Sequence, residues 1–170
     1  MRTLRSQLIL SHILPLLIVV PLIGVILIYI LETQVVLADL SNDLEQQAAM
    51  TAEVAADQPQ IWGDAAQAQV FVTRFSASHQ SEVRLLDPQG NLLASNDPDD
   101  AGRLGQPLDV PNLSTVLSGE PSIQRNYSLN LQAEIVEVLV PVSSSNQEVV
   151  GVVRLSQGLS SVHDRFLRRG

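Results

Sequence analysis

The sequence predicts an α+β protein, with helices as far as His79 and a five-stranded antiparallel sheet after it. Three observations carry that prediction. Residues 6–31 contain no Asp, Glu, Lys or Arg, and eighteen positions from Leu8 to Leu31 are Leu, Ile or Val. Between Leu37 and Phe75 apolar residues recur three and four apart, the spacing of one helix face. From Val83 onward they alternate in short runs divided by Pro, Gly, Asn and Ser, as strands joined by tight turns do.

The apolar stretch comes first. As a helix, residues 6–31 run to about 39 Å against a hydrocarbon core of about 30 Å. Its aliphatic side chains favour insertion by roughly 5–10 kcal/mol in sum, of which His12, Pro15, Pro21 and Gly24 return only a few. A signal peptide cleaved after Val36-Leu37-Ala38 is the rival, but signal peptides use only about 7–15 apolar residues. Residues 6–31 are therefore expected to be a retained transmembrane helix, bent at its prolines. Arg2 and Arg5 precede it, while Glu32, Asp39, Asp43 and Glu45 follow. The positive-inside rule places residues 1–5 in the cytoplasm and the remainder outside, in a cell membrane.

Beyond the span, Glu32–Asp164 holds all 18 carboxylates against five arginines, a formal charge of −13. Such a surface repels nucleic acid and anionic lipid, so no nucleic-acid partner is expected. The absence of cysteine excludes disulfides, thiolate metal sites and a thiol nucleophile, and suits a bacterial envelope.

The span is expected to continue as a stem helix over 32–57. Leu37, Leu40, Leu44, Gln47, Thr51 and Val54 follow a 3-4-3-4-3 spacing. This stripe serves either packing on the chain's own sheet or a parallel homodimer stem, and the spacing suits both. Asp57-Gln58-Pro59 breaks the helix. Ile61, Ala65, Ala68, Val72 and Phe75 predict one further amphipathic helix ending near His79.

The strands follow. Val83–Leu86 leads into Asp87-Pro88-Gln89-Gly90, whose Asp at the first position, Pro at the second and Gly at the fourth suit a type I turn. Asn91–Ser95 returns to complete a hairpin. The polar loop Asn96–Gly105 carries Asp97, Asp99 and Asp100, but a calcium loop would need ligands where Ala101 and Leu108 stand, so no metal is expected. Val110-Pro111 opens a short helix ending before Gly119. Strands are expected at 122–128, 133–142 and 148–156, with Val136, Val138, Val140 and Val142 on one face and Ile135, Glu137 and Leu139 on the other. Leu159, Val162 and Phe166 predict a final helix over 159–170, ending among Arg165, Arg168 and Arg169 and leading toward a further span.

The sequence contains no Gly-rich phosphate loop, no metal-binding histidine spacing and no assignable catalytic triad or carboxylate pair. These residues are read as no enzyme, and no cofactor is expected. The ordered set Val83–Ser95, Gly105, Leu117-Ser118-Gly119, Val138–Val142 and Val149–Ser156 resembles a single Cache (PAS-like) extracytoplasmic sensor domain, spanning 58–158 here. Domains of this kind stand at the N-terminus of bacterial sensor histidine kinases. The resemblance implies a PAS-like sheet with the long helix on one face and a small-molecule pocket on the other. Arg125 and Tyr127, at i and i+2 of one strand, are the candidate contacts, with Arg84 and Arg154 in flanking strands. The alternative for each arginine is an exposed edge position paired with one of the many carboxylates.

The expected function is the signal-sensing input of a two-component sensor histidine kinase, passing ligand-induced shifts to the membrane helices. The alternatives are a membrane-anchored assembly domain without a small ligand, or the input of a chemoreceptor or cyclic-dinucleotide cyclase. The phospho-acceptor histidine box of a kinase is not among these residues.

Overall fold

The computed structural model describes residues 4–79, 81–128 and 133–158; side chains within the first helix are described over 16–30 and from 38 onward. The chain divides into two units between Asp39 and Leu40. The expected helix over 159–170 lies outside the described residues, as do residues 129–132.

Helix α1 runs over Leu4–Ala56. In the first unit its Leu, Ile and Val side chains from Leu16 to Ile30 are all exposed. Among the described residues no helix is long and apolar enough to cross a membrane.

In the second unit α1 turns Leu40, Leu44, Ala48, Thr51, Ala52 and Ala55 inward, every one of them buried. Three- and four-residue spacing puts them on one face, and most are small enough for close approach. The stem stripe is thus consumed largely by the chain's own core: of its described members, Leu40, Leu44 and Thr51 are buried, Gln47 is half-buried and Val54 is exposed.

A single second helix was expected, and two are found: α2 (Gln60–Gly63) and α3 (Ala65–Ser76). Asp64 stands between them in extended conformation, and its carboxylate accepts the Ala66 amide. A side chain that caps a helix so well starts a new one rather than continuing the old. Trp62 of α2 donates its indole N–H to the Ala55 carbonyl, tying α2 to the end of α1.

The strands are β1 (Glu82–Leu86), β2 (Leu92–Ser95), β3 (Ser122–Ser128), β4 (Ala133–Ser143) and β5 (Val149–Gly158). They form one antiparallel sheet in the PAS-like order β2-β1-β5-β4-β3. The Asp87–Gly90 turn closes the first hairpin as expected. The Gly90 amide donates to the Asp87 carbonyl, and the Asp87 carboxylate accepts the amides of Gln89 and Asn91. Gly90 has φ +83°, a conformation that side chains disfavour.

The sheet has two unlike faces. Val83, Leu85, Val136, Val138, Val142, Val153 and Leu155 fill one, all buried. On this face Trp62 lies over Gly151, where any side chain would collide with its ring. The other face carries Leu86, Leu92, Leu139 and Val152 beneath helix α4 (Leu113–Leu117), joined by Leu108, Val110 and Val116 in one cluster. Alternation along the strands then places Arg84, Arg154, Glu137 and Ser156 on this same face, beyond the end of the apolar cluster.

Candidate functional site

Arg84 and Arg154 are Cα partners in the β1–β5 register. Each sits one side-chain repeat from the apolar cluster, at Leu86 in β1 and Val152 in β5. Their side chains are only 13% and 15% exposed. Two guanidinium groups placed so closely out of water need counter-charge, and the fold supplies it.

Around Arg84 stand three carboxylates. Nε donates to Asp100, Nη2 to Asp97 at 2.7 Å and Nη1 to Glu82 at 3.1 Å. Asp100 and Asp97 reach it from the loop after β2. There the Asp97 carboxylate accepts the Asp99 amide, capping the short 3-10 turn Pro98–Asp100. Asp100 is 2% exposed; it also accepts the Ser95 hydroxyl at 2.7 Å, with Arg103 at 3.7 Å. Burial opposes the charge on Asp100, but the Ser95 hydroxyl and Arg84 outweigh it and hold its pKa below the usual carboxylate value. Burial likewise works against the Arg84 charge, and Asp100, Glu82 and Asp97 overcome it, raising its pKa. The Ser156 hydroxyl donates to the same Glu82 oxygen at 3.2 Å, which links β5 into the network.

Arg154 is held more lightly. Nη2 donates to Glu137 of β4 at 2.6 Å, and Nε is buried with no acceptor among the described residues. That N–H is a polar group with a hydrogen bond to offer and none made among the described residues, on a side chain that alternation places on the α4 face of the sheet.

The four arginine and tyrosine candidates are not brought together. Arg84 and Arg154 share a face and are largely buried in ion pairs, unlike the exposed edge arginines of the alternative reading. Arg125 pairs in register with Val136 and Tyr127 with Glu134, so both project to the opposite face, at the edge strand. Arg125 is exposed, Tyr127 is 60% exposed, and neither lines a described cavity. The β3 residues that share the Arg154 face are Gln124, opposite Glu137, and Asn126, opposite Ile135. The residues missed in the sequence are the carboxylates Glu82, Asp97, Asp100 and Glu137. A charged residue inside an otherwise apolar strand was the available signal for Glu137; nothing local tied the loop aspartates to Arg84.

The model of the WalK sensor protein kinase Cache domain matches residues 67–156. Among solved structures, the fold is similar to the E. coli DcuS sensor domain, at 22% identity and TM-score 0.59, covering 74% of this chain and 96% of that one. It is also similar to the ligand-binding domain of the Campylobacter jejuni chemoreceptor Tlp3. In complex with 4-methylisoleucine that domain gives 11% identity and TM-score 0.59, covering 75% of this chain and 55% of that one. In complex with L-valine the values are 12% and 0.55, covering 75% and 56%. No curated protein matches the chain.

Proposed function

The chain belongs to the WalK sensor protein kinase Cache-domain family, and from that premise we propose that it is the extracytoplasmic input region of a two-component sensor histidine kinase. The observation that carries the reading is the family match, which runs from α3 through the last strand. An input domain of this kind catalyses nothing; it converts occupancy into a change of state.

Residues 6–31 anchor the chain in the membrane, with 1–5 in the cytoplasm and the sheet outside. Arg2 and Arg5 support this, as do the aliphatic side chains exposed from Leu16 to Ile30. The chain works as a parallel homodimer. Its signal is a small molecule received on the α4 face of the sheet, with Arg154 as its contact, while Arg84 is held by its three carboxylates. The Tlp3 ligand-binding domains, solved with amino-acid ligands, support a small-molecule ligand for a domain of this fold. The unused Arg154 Nε–H supports a hydrogen-bond acceptor on that ligand. Arg125 and Tyr127, on the other face, take no part.

The test is the gene beyond Gly170 together with an assay. A second apolar span followed by a histidine-kinase module that autophosphorylates in membrane vesicles supports the reading. A continuation without a kinase module overturns it.

A further inference from the structure

We infer that the cleft between α1 and α3 is the surface on which a second copy of this chain docks. The inference rests on the homodimer reading above and names its surface.

The stripe of α1 whose spacing suits either the chain's own sheet or a dimer stem is mostly buried in the chain's own core. The large apolar side chains that α1 leaves outside from Leu40 to Ala56 are Met50, 63% exposed, and Val54, 51% exposed, one turn apart on one face. They form one wall of an open cleft of about 340 Å³, and Phe71 and Phe75 of α3 form the other. The His79 ring stacks on Phe75 with centroids 4.2 Å apart, extending the aromatic wall. Val70, 52% exposed, carries the apolar surface over the outside of α3. An open groove between two helices, bordered by exposed aliphatic side chains, suits an apolar helix face better than a small ligand, which needs enclosure.

Charge identifies the occupant. Arg74 lines the cleft and is the sole Arg or Lys from Leu40 to His79. Glu53 and Asp57 each precede a lining residue, Val54 and Gln58. Among the described residues these three side chains make no ion pair, whereas Arg84, Arg103 and Arg154 all do. A two-fold contact presents one patch twice, so Arg74 of each copy meets the Glu53–Asp57 edge of the other. Met50 and Val54 of each copy then enter the facing cleft. Two domains of charge −13 repel over most of their surface. A contact that brings a free arginine onto free carboxylates, twice, relieves that repulsion where the apolar groove lies.

The chain has no cysteine, so any introduced thiol is unique. The full chain in lipid nanodiscs would carry Met50→Cys or Val54→Cys, with Ser145→Cys in an exposed turn as control. A short bismaleimide cross-linker, which spans like residues that are close but not touching, should give covalent dimers from the first two and not from the control. Arg74→Glu should weaken dimerisation by about tenfold, and adding Glu53→Arg and Asp57→Arg should restore it. All these side chains are exposed, so the variants should fold. A dimer that fails to cross-link at both positions, or that the charge swap does not rescue, overturns this surface while the dimer reading stands. A chain that remains monomeric overturns both.

Discussion

Arg84 and Arg154 face each other across β1 and β5 as direct register partners, two positive charges on the same sheet face. Like charges opposite one another destabilise a sheet unless neutralised. Here the neutralisation is unequal: three carboxylates surround Arg84, and one holds Arg154, whose Nε–H makes no bond among the described residues. Arg84 therefore locks the loop after β2 onto β1, while Arg154 keeps a donor in reserve. The two arginines have the same side chain and the same orientation but different tasks, divided by the acids the fold brings to each.

The lock makes stability depend on pH. The pKa of Asp100 in the folded chain lies below its unfolded value, so its contribution is fully present above the unfolded carboxylate pKa, near 4. It is lost as pH falls through the lower, folded value. Asp100→Asn should cost about 3 kcal/mol at pH 7, since it breaks a buried pair from one side. The deficit relative to the parent should shrink on acidification. Urea unfolding at pH 7 and pH 3 reads both, and a deficit unchanged between them contradicts the assignment.

Trp62 and Gly151 form a second coupled pair. A Cβ on Gly151 would overlap the Trp62 ring and stand 2.8 Å from the Leu86 carbonyl oxygen. Gly151→Ala should destabilise by about 1–3 kcal/mol through overpacking. With Trp62→Leu already in place, the same change should cost at least about 1 kcal/mol less, because the ring it strikes is gone. Additive losses in this double-mutant cycle would show that the Leu86 carbonyl, not the indole, sets the penalty.

These pairs mark where sequence reading stopped. Strand identity was legible because each strand carries its own period: Val136, Val138 and Val142 point inward as alternation requires, and Asp87–Gly90 is a turn by its own chemistry. The break at Asp64 was missed because apolar spacing runs straight through it, and a single capping aspartate outweighed the pattern. Within β3 the candidate contacts were chosen by chemical type, Arg125 and Tyr127, rather than by face. Which alternate set of a strand faces the site depends on register with β4, and that is a long-range property. The aspartates around Arg84 come from a loop whose path no local pattern specifies.

The proposed topology has a direct check. Protease added to intact spheroplasts should digest the sheet domain and leave a membrane-protected fragment no longer than the span and residues 1–5. Complete protection of residues 40–158 would reverse the orientation argued from Arg2, Arg5 and the acidic residues after Leu31.

The ligand reading is tested by comparing the two arginines that the fold separates. A panel of the natural amino acids, including the L-valine seen bound to Tlp3, would be screened by thermal shift on the full chain. A binder that raises Tm does so by occupying the folded state, by about 2.7 kcal/mol at a hundred times its Kd. Arg154→Gln removes the charge and replaces the unused Nε–H with a shorter amide, so the shift should fall by at least half. Arg154 also pairs with Glu137, and a merely structural loss would lower the ligand-free Tm without changing the increment. Glu137→Gln supplies that control: it breaks the same ion pair but leaves the guanidinium in place and freer, so the ligand increment should persist or grow. Arg125→Gln, on the opposite face, should change neither value. An increment that survives in Arg154→Gln and vanishes in Arg125→Gln would move the site to the other side of the sheet.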